Sequence, residues 1–289
     1  MADYVFFTDS TTDLSLDLAR EMDAVVLPMT FTLEGKDHQG YPDNRAMSPK
    51  EFYDQLRKGA ACTTSQFTTA AFMDAFTPYL EQGLDILYVA FSSGLSGTYQ
   101  SSLIAAQMLK EKYPDRTIEC VDSLQASMGE GLVAYQAAML RKEGQTLEEV
   151  AAWLRENAMT FCGWFTVDDL MFLRRGGRVD TTSAIAGTLL GIKPVLHVDE
   201  AGKLVAMEKV RGRKASLDAL VRHYQEGASY HENQTVFISH GDCPEDAEYV
   251  AEGIREIGVK RLVIGDIGPV VGSHSGPGTV ALFFTGPGR

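Results

Sequence analysis

The sequence predicts an α/β protein of two domains, an N-terminal domain on a parallel βαβ sheet and a C-terminal domain on a mixed sheet. Three observations carry this. The chain has 289 residues, and at about 150 residues per domain that length fits two domains. Over residues 1–157 strand and helix patterns alternate, the rhythm of right-handed βαβ units. Over residues 158–289 a β-hairpin and further strands join the helices, as in a mixed sheet. No Pro- or Ser-rich linker marks the boundary, and no internal repeat is present.

Tyr4–Thr8 is a short β-rich run that ends in the polar turn Asp9–Asp13. Ala24–Leu33 reads as one further strand. Ser48-Pro49-Lys50-Glu51 is a capping box with proline at the first helical position, and Gly59 stops that helix. Asp85–Phe91 is continuously apolar, as a strand buried on both faces is. The loop Ser92–Thr98 follows, then a helix with Tyr99, Leu103 and Ala106 at helical spacing, ended by Pro114. Thr117–Val121 is a strand and Gln125–Lys142 a helix closed by Gly144. In the second part Met159–Val167 is strand-like and Asp168–Arg175 helical. Lys193–Asp199 and Leu204–Val210 flank the turn Glu200–Lys203 as a hairpin. Thr235–His240 and Arg261–Ile267 are strands with the helix Glu245–Ile257 between them. Ile267–Gly288 carries no charged side chain and is long enough to span a bilayer. Its six glycines and three prolines would leave backbone groups unpaired in lipid, so it reads as a loop and a buried strand.

Composition narrows the function. Hydrophobic residues make up 45% and charged residues 22%, ordinary globular usage that excludes a disordered or fibrous chain. The 26 basic residues against 39 acidic ones give a net charge of −13, which argues against nucleic acid as a partner because a phosphate backbone needs a basic face. Cys62, Cys120, Cys162 and Cys243 form no C-x-x-C pair, so neither zinc nor a redox motif is indicated. They are expected to pack as small apolar groups in a cytoplasmic chain. No basic region with an apolar stretch opens the sequence, so no signal peptide is expected.

Three polar turns stand out: Cys62–Gln66, Ser92–Thr98 and Gly272–Thr279. The middle one follows a buried strand and opens a helix, where ligands bind in open parallel sheets and where free N–H groups receive anions. The same residues serve equally as an N-capping loop. Phosphate-loop, dinucleotide and G-x-S-x-G signatures are absent. His240-Gly241-Asp242 reads as a turn. Asp9–Asp13 begins like a phosphoaspartyl site, and an Asx-turn explains it as well. His274, in a glycine-rich loop, can be aimed at an oxyanion or be structural. Arg174, Arg175 and Arg178, around two glycines, form a constrained basic turn in an acidic protein. A phosphotransferase or hydrolase using Asp9 or His274 therefore stays open.

Seven strings in order resemble the DegV family, fatty-acid-binding proteins that act as carrier subunits of bacterial fatty acid kinase. They are Thr8–Thr11, Thr63–Gln66, Ser92–Thr98, Val121–Ser123, Leu173–Arg178, Gly191–Pro194 and Gly268–Gly278. Phe67 stands where the family pattern has proline. The resemblance implies a long-chain fatty acid bound between two α/β domains, its tail in a tunnel to which Met159–Val167 and Thr182–Ile192 are apolar enough to contribute. Thr64 and Ser93 would hydrogen-bond its carboxyl group with His274 alongside. Thr63, Ser96 and Gly97 would surround it, and Arg178 would complete the polar end. Arg211 would meet the partner, the fatty acid kinase catalytic subunit, which would supply ATP and metal and make the acyl-phosphate. The chain itself would then hold no catalytic residue, cofactor or metal. It would be cytoplasmic, with transient membrane contact. A lipid-sensing regulatory module is the other reading compatible with that site.

Overall fold

The computed structural model of the protein describes residues 4–179 and 191–289. β1 (Tyr4–Asp9) leads through a 3-10 turn (Ser10–Thr12) and α1 (Leu16–Glu21) to β2 (Ala24–Leu27). Next come β3 (Thr30–Leu33), β4 (Lys36–Gln39), α2 (Pro49–Arg57) and β5 (Cys62–Ser65), whose strands form a small antiparallel sheet ordered β4-β3-β5. With α3 (Thr69–Glu81), β6 (Asp85–Ala90), α4 (Thr98–Lys112) and β7 (Ile118–Asp122), the parallel sheet β2-β1-β6-β7 is complete.

Helices α5 (Met128–Lys142) and α6 (Leu147–Asn157) cross to the second sheet. Its strands and helices are β8 (Phe161–Thr166), α7 (Met171–Arg175), β9 (Ile192–Val198), β10 (Leu204–Arg211), α8 (Arg213–Gly227), β11 (Thr235–His240), α9 (Pro244–Ile257), β12 (Arg261–Asp266), α10 (Pro269–Ser275) and β13 (Val280–Thr285). They order as β10-β9-β8-β13-β11-β12, antiparallel except for β11 with β12. The parallel sheet and the mixed sheet are those the sequence predicts.

Local differences have local causes. The run Ala24–Leu33 breaks at Pro28, which has no N–H for a ladder, and its halves join different sheets. The turn expected at Cys62–Gln66 is the strand β5, paired with β3 from Thr30↔Ser65 to Leu33↔Cys62. The glycine-rich loop expected at Gly272–Thr279 starts inside α10. Helix α5 begins at Met128 rather than Gln125 because Leu124 and Ser127 take left-handed backbone angles, φ +50° and +54°. Helices α1, α3, α6 and α8 are not among the elements the sequence predicts, although Thr146 and Glu149 form a full capping box for α6.

α5 joins the halves of the molecule. Its residues from Met128 to Ala134 are all buried, and the core cluster they belong to runs from Phe6 and Val89 of the first sheet to Phe165 and Phe283 of the second. The close approach rests on small residues. A Cβ at Gly129 would lie 2.5 Å from Phe283 Cδ1, and one at Gly163 would lie 3.1 Å from the same atom. Alanine at 129 would gain about 1 kcal/mol in helix propensity, while overpacking a core costs about 1–3 kcal/mol. Gly129→Ala is therefore expected to destabilise the protein by up to about 2 kcal/mol in urea unfolding; greater stability would show that Phe283 yields freely.

Candidate functional site

A cavity of about 440 Å³ lies between the two sheets. From the first come Thr11 beyond β1, Phe91 and Leu95 to Gly97 beyond β6, and Ala126 and Ser127 at the start of α5, while the small antiparallel sheet adds Thr64 to Gln66 around the end of β5. The positions from the first sheet follow the carboxyl ends of its parallel strands, where an open sheet leaves a crevice. From the second come Phe165, Leu173, Val198 and Leu204, one face of α10, and Ala281 and Phe283 of β13. Most of this wall is aliphatic or aromatic.

The loop after β6 is shaped by contact between the domains. Ser92 Oγ donates to the Gly202 carbonyl at 2.7 Å in the β9–β10 turn. A Cβ on Gly94 would sit 2.5 Å from the Ala201 carbonyl oxygen, so glycine is needed there for backbone approach. At Gly97 the neighbour is a side chain instead: a Cβ there would lie 2.3 Å from Gln66 Oε1, which would have to turn aside. On the opposite wall Tyr53 Oη donates to the Ile267 carbonyl at 2.9 Å, and Asp13 Oδ1 accepts the Gly268 N–H at 2.8 Å. These bonds hold the start of α10, which carries His274.

The polar end of the cavity is a pair. Thr64 Oγ1 and His274 Nε2 are 2.8 Å apart, bridging β5 and α10. Gly176 makes room for the ring, since a Cβ there would come within 2.4 Å of His274 Nδ1. Burial, helped by the Arg178 guanidinium, brings the imidazole down to about 4, so it is neutral at pH 7. Arg178 lines the same cavity and donates to the Gly176 carbonyl. Its own affinity for a proton is lowered by burial. Among the described lining residues it is the only arginine or lysine.

Of the residues singled out from sequence, Thr64, Ser96, Gly97, Arg178 and His274 line this cavity together. Thr63 does not: strand alternation turns it to the other, exposed face of β5, opposite Thr32. Ser93 is exposed and outside the lining, its N–H donating to Asp122 Oδ1 at 3.2 Å. Arg211 is the exposed last residue of β10, an edge strand of the mixed sheet. Asp9 is fully buried, its oxygens accepting from the Thr11 N–H and hydroxyl and from Tyr88 Oη. Within Met159–Val167, Phe165 lines the cavity. Residues 182–190 of the other apolar stretch lie outside the described residues.

Thr11, Ser127 and Ser275 also line the cavity and were not singled out. Thr11 and Ser275 fall inside strings already quoted, whereas nothing local marks Ser127. Among the described residues no cluster of His, Cys, Asp or Glu could hold a metal ion, and no helix is long and apolar enough to cross a membrane. All four cysteines are free, and burial pushes the Cys120 and Cys243 thiols up to about 12.

Comparison with known proteins agrees with this architecture. A DegV domain-containing protein of Clostridium perfringens is 45% identical over 99% of this chain and 98% of its own. A fatty-acid-binding DegV-family protein of Thermus thermophilus superposes with a TM-score of 0.86 at 31% identity, covering 98% of this chain and 99% of that one. A DegV lipid-binding protein of Thermotoga maritima gives a TM-score of 0.85 at 29% identity over the whole of both chains. Residues 5–286 match the DegV family of uncharacterised proteins, and the chain belongs to that family.

Proposed function

We propose that this protein binds a long-chain fatty acid in the cavity between its sheets, carboxyl group toward Thr64 and His274, and offers that group to a partner kinase for acyl-phosphate formation. The observation that carries the reading is the Thr64–His274 pair at the wall of a mostly apolar cavity. The Thermus thermophilus relative, described as fatty-acid-binding, supports the ligand class. The volume falls within the roughly 300–1,000 Å³ of small-molecule sites. Burying about 14 methylenes at about 0.8 kcal/mol each gives on the order of 11 kcal/mol before ordering costs. The tail therefore supplies the affinity, and the head group needs only hydrogen-bond partners.

Hydroxyls and a neutral imidazole suit that task, because they accept an acid, a carboxylate or an acyl-phosphate alike. Arg178 would add a positive charge on the same wall. Ser96 and Gly97 would border the head group, and the exposed Ser93 of the same loop would meet its outward side, where phosphoryl transfer takes place. Arg211, exposed at the sheet edge, would contact the kinase. Phosphoryl transfer by Asp9 itself is disfavoured, since its oxygens are buried and engaged.

Organic extracts of protein purified from a bacterial host should contain about one fatty acid per chain by mass spectrometry; no acyl chain, and no uptake of added oleate, would refute the reading. Leu173→Trp, which fills the cavity, should lower oleate affinity at least about tenfold, and His274→Ala or Thr64→Val by about 1.5–3 kcal/mol. Ser93→Ala should keep its lipid and slow acyl-phosphate formation by the kinase; unchanged turnover would remove Ser93 from the head-group site.

His274 also fixes a pH dependence. Its value is about 4 in the fold against an ordinary 6.5, so between these the unfolded chain binds more protons and stability falls as pH falls. The loss reaches at most about 1.4 kcal/mol per pH unit and is absent above the ordinary value. Urea unfolding of wild type and His274→Gln should diverge through that window; parallel curves would mean that His274 titrates normally.

A further inference from the structure

Behind the cavity wall two buried carboxyl groups meet one hydroxyl. Thr11 Oγ1 contacts Asp9 Oδ1 and lies 2.8 Å from Glu130 Oε2. Asp9 and Glu130 are both fully buried, and among the described residues neither has an arginine, lysine or histidine partner. A threonine hydroxyl has one proton to give, so it cannot donate to both. Asp9 already accepts the Thr11 N–H at 2.9 Å and Tyr88 Oη at 2.6 Å, besides the hydroxyl and the Phe91 N–H. Glu130 Oε1 has no partner. The donors have gathered on Asp9.

We propose that Glu130 is a protonated carboxylic acid that donates to Thr11 Oγ1, which donates in turn to Asp9, so that the pair holds one proton and carries one negative charge behind the cavity wall instead of two. The chain of bonds runs from α5 through the turn after β1 to Asp9 and Tyr88 of β6. Glu130 is then a positioning residue: it turns the Thr11 hydroxyl toward Asp9, leaving the methyl group and a lone pair for whatever fills the cavity. The surroundings favour the proton. Burial, the Asp9 carboxylate, and the acidic Asp13 and Asp122 all raise the affinity of Glu130 for it, against the Thr11 hydrogen bond. Two ionised carboxylates on one hydroxyl in a dry interior would repel strongly.

The bearing on ligand binding rests on the cavity's being the fatty-acid site; the shared proton does not. Infrared difference spectra of the ligand-free protein in H₂O and D₂O test the proton directly. Wild type at neutral pH should show the carbonyl band of a protonated carboxylic acid. Glu130→Gln, whose amide N–H can still donate to Thr11, should lose it. Thr11→Val, which removes the bridging oxygen, should shift it, so the test survives a failure of either variant to fold. No band in wild type, or one that stays unchanged in both variants, would overturn the proposal. Because the folded state holds a proton that the unfolded glutamate releases, the melting temperature of wild type should fall relative to Glu130→Gln as pH rises from acidic to neutral; parallel profiles would count against it equally. In a parallel titration with oleate, both proteins should bind alike at neutral pH, with wild type weakening relative to the variant as pH is raised further. A constant ratio would overturn the role of the proton at the cavity. Failure of both to bind oleate would refute the lipid reading and leave the infrared result to decide the proton by itself.

Discussion

The burial of α5 against both sheets is the constraint from which the rest of this structure follows. A helix buried on both sides must present apolar or small residues over most of its surface, and Gly129, Gly131, Ala134, Ala137 and Ala138 let it lie close to its neighbours. The first sheet reaches α5 through Phe6, Leu87 and Val89, and the second through Phe165, Phe237 and Phe283. Beyond the start of the helix the two sheets no longer share a filler. There the strand ends of the first sheet and the inner face of the second border a cavity instead of a core.

The same packing explains the unusual polar chemistry beside that cavity. Glu130 sits between two glycines on the most crowded part of α5, so its carboxyl group has no route to water. Among the described residues its one hydrogen-bond partner is Thr11, in the turn that ends β1. Ser127, at the cap position, is held at φ +54° with its hydroxyl 2.5 Å from Asp13 Oδ2 and 2.8 Å from Ser239 Oγ. A left-handed serine costs roughly 1–3 kcal/mol, and these bonds tie it to both halves of the protein. The cavity wall thus combines apolar side chains with the Thr11 and Ser127 hydroxyls, whose protons are already committed. That environment tolerates an alkyl chain, while the Thr64–His274 pair on another wall offers polar atoms to a head group.

Much of the fold was legible one segment at a time. The apolar run of β6, the Ser48 N-cap of α2 and the hairpin around Gly202 each announce themselves through local chemistry. Errors came where a residue's meaning depended on a distant partner. Pro28 lies inside an apolar run, and only the placement of two sheets shows that it divides them. Cys62–Ser65 reads as a polar turn until β3 pairs with it. The candidate site divides in the same way. Polar, glycine-rich strings marked Thr64, Ser96, Gly97, Arg178 and His274, because such residues are costly to place without a purpose. They also marked Thr63, which strand alternation turns away.

By itself, the sequence determined the α/β class, the βαβ rhythm of the first part, the mixed sheet of the second and the short strings that border the cavity. Those features rest on periodicity, capping and turn chemistry, which act within a few residues. Only the tertiary structure decided that β5 and α10 bring Thr64 and His274 to 2.8 Å, 210 positions apart in sequence. Only it decided that Gly94 serves a contact between domains, and that Glu130 meets Thr11 across 119 positions. The physical reason is common to all three. Burial and hydrogen-bond geometry belong to pairs of atoms brought together by folding, and no local pattern encodes which pairs those are.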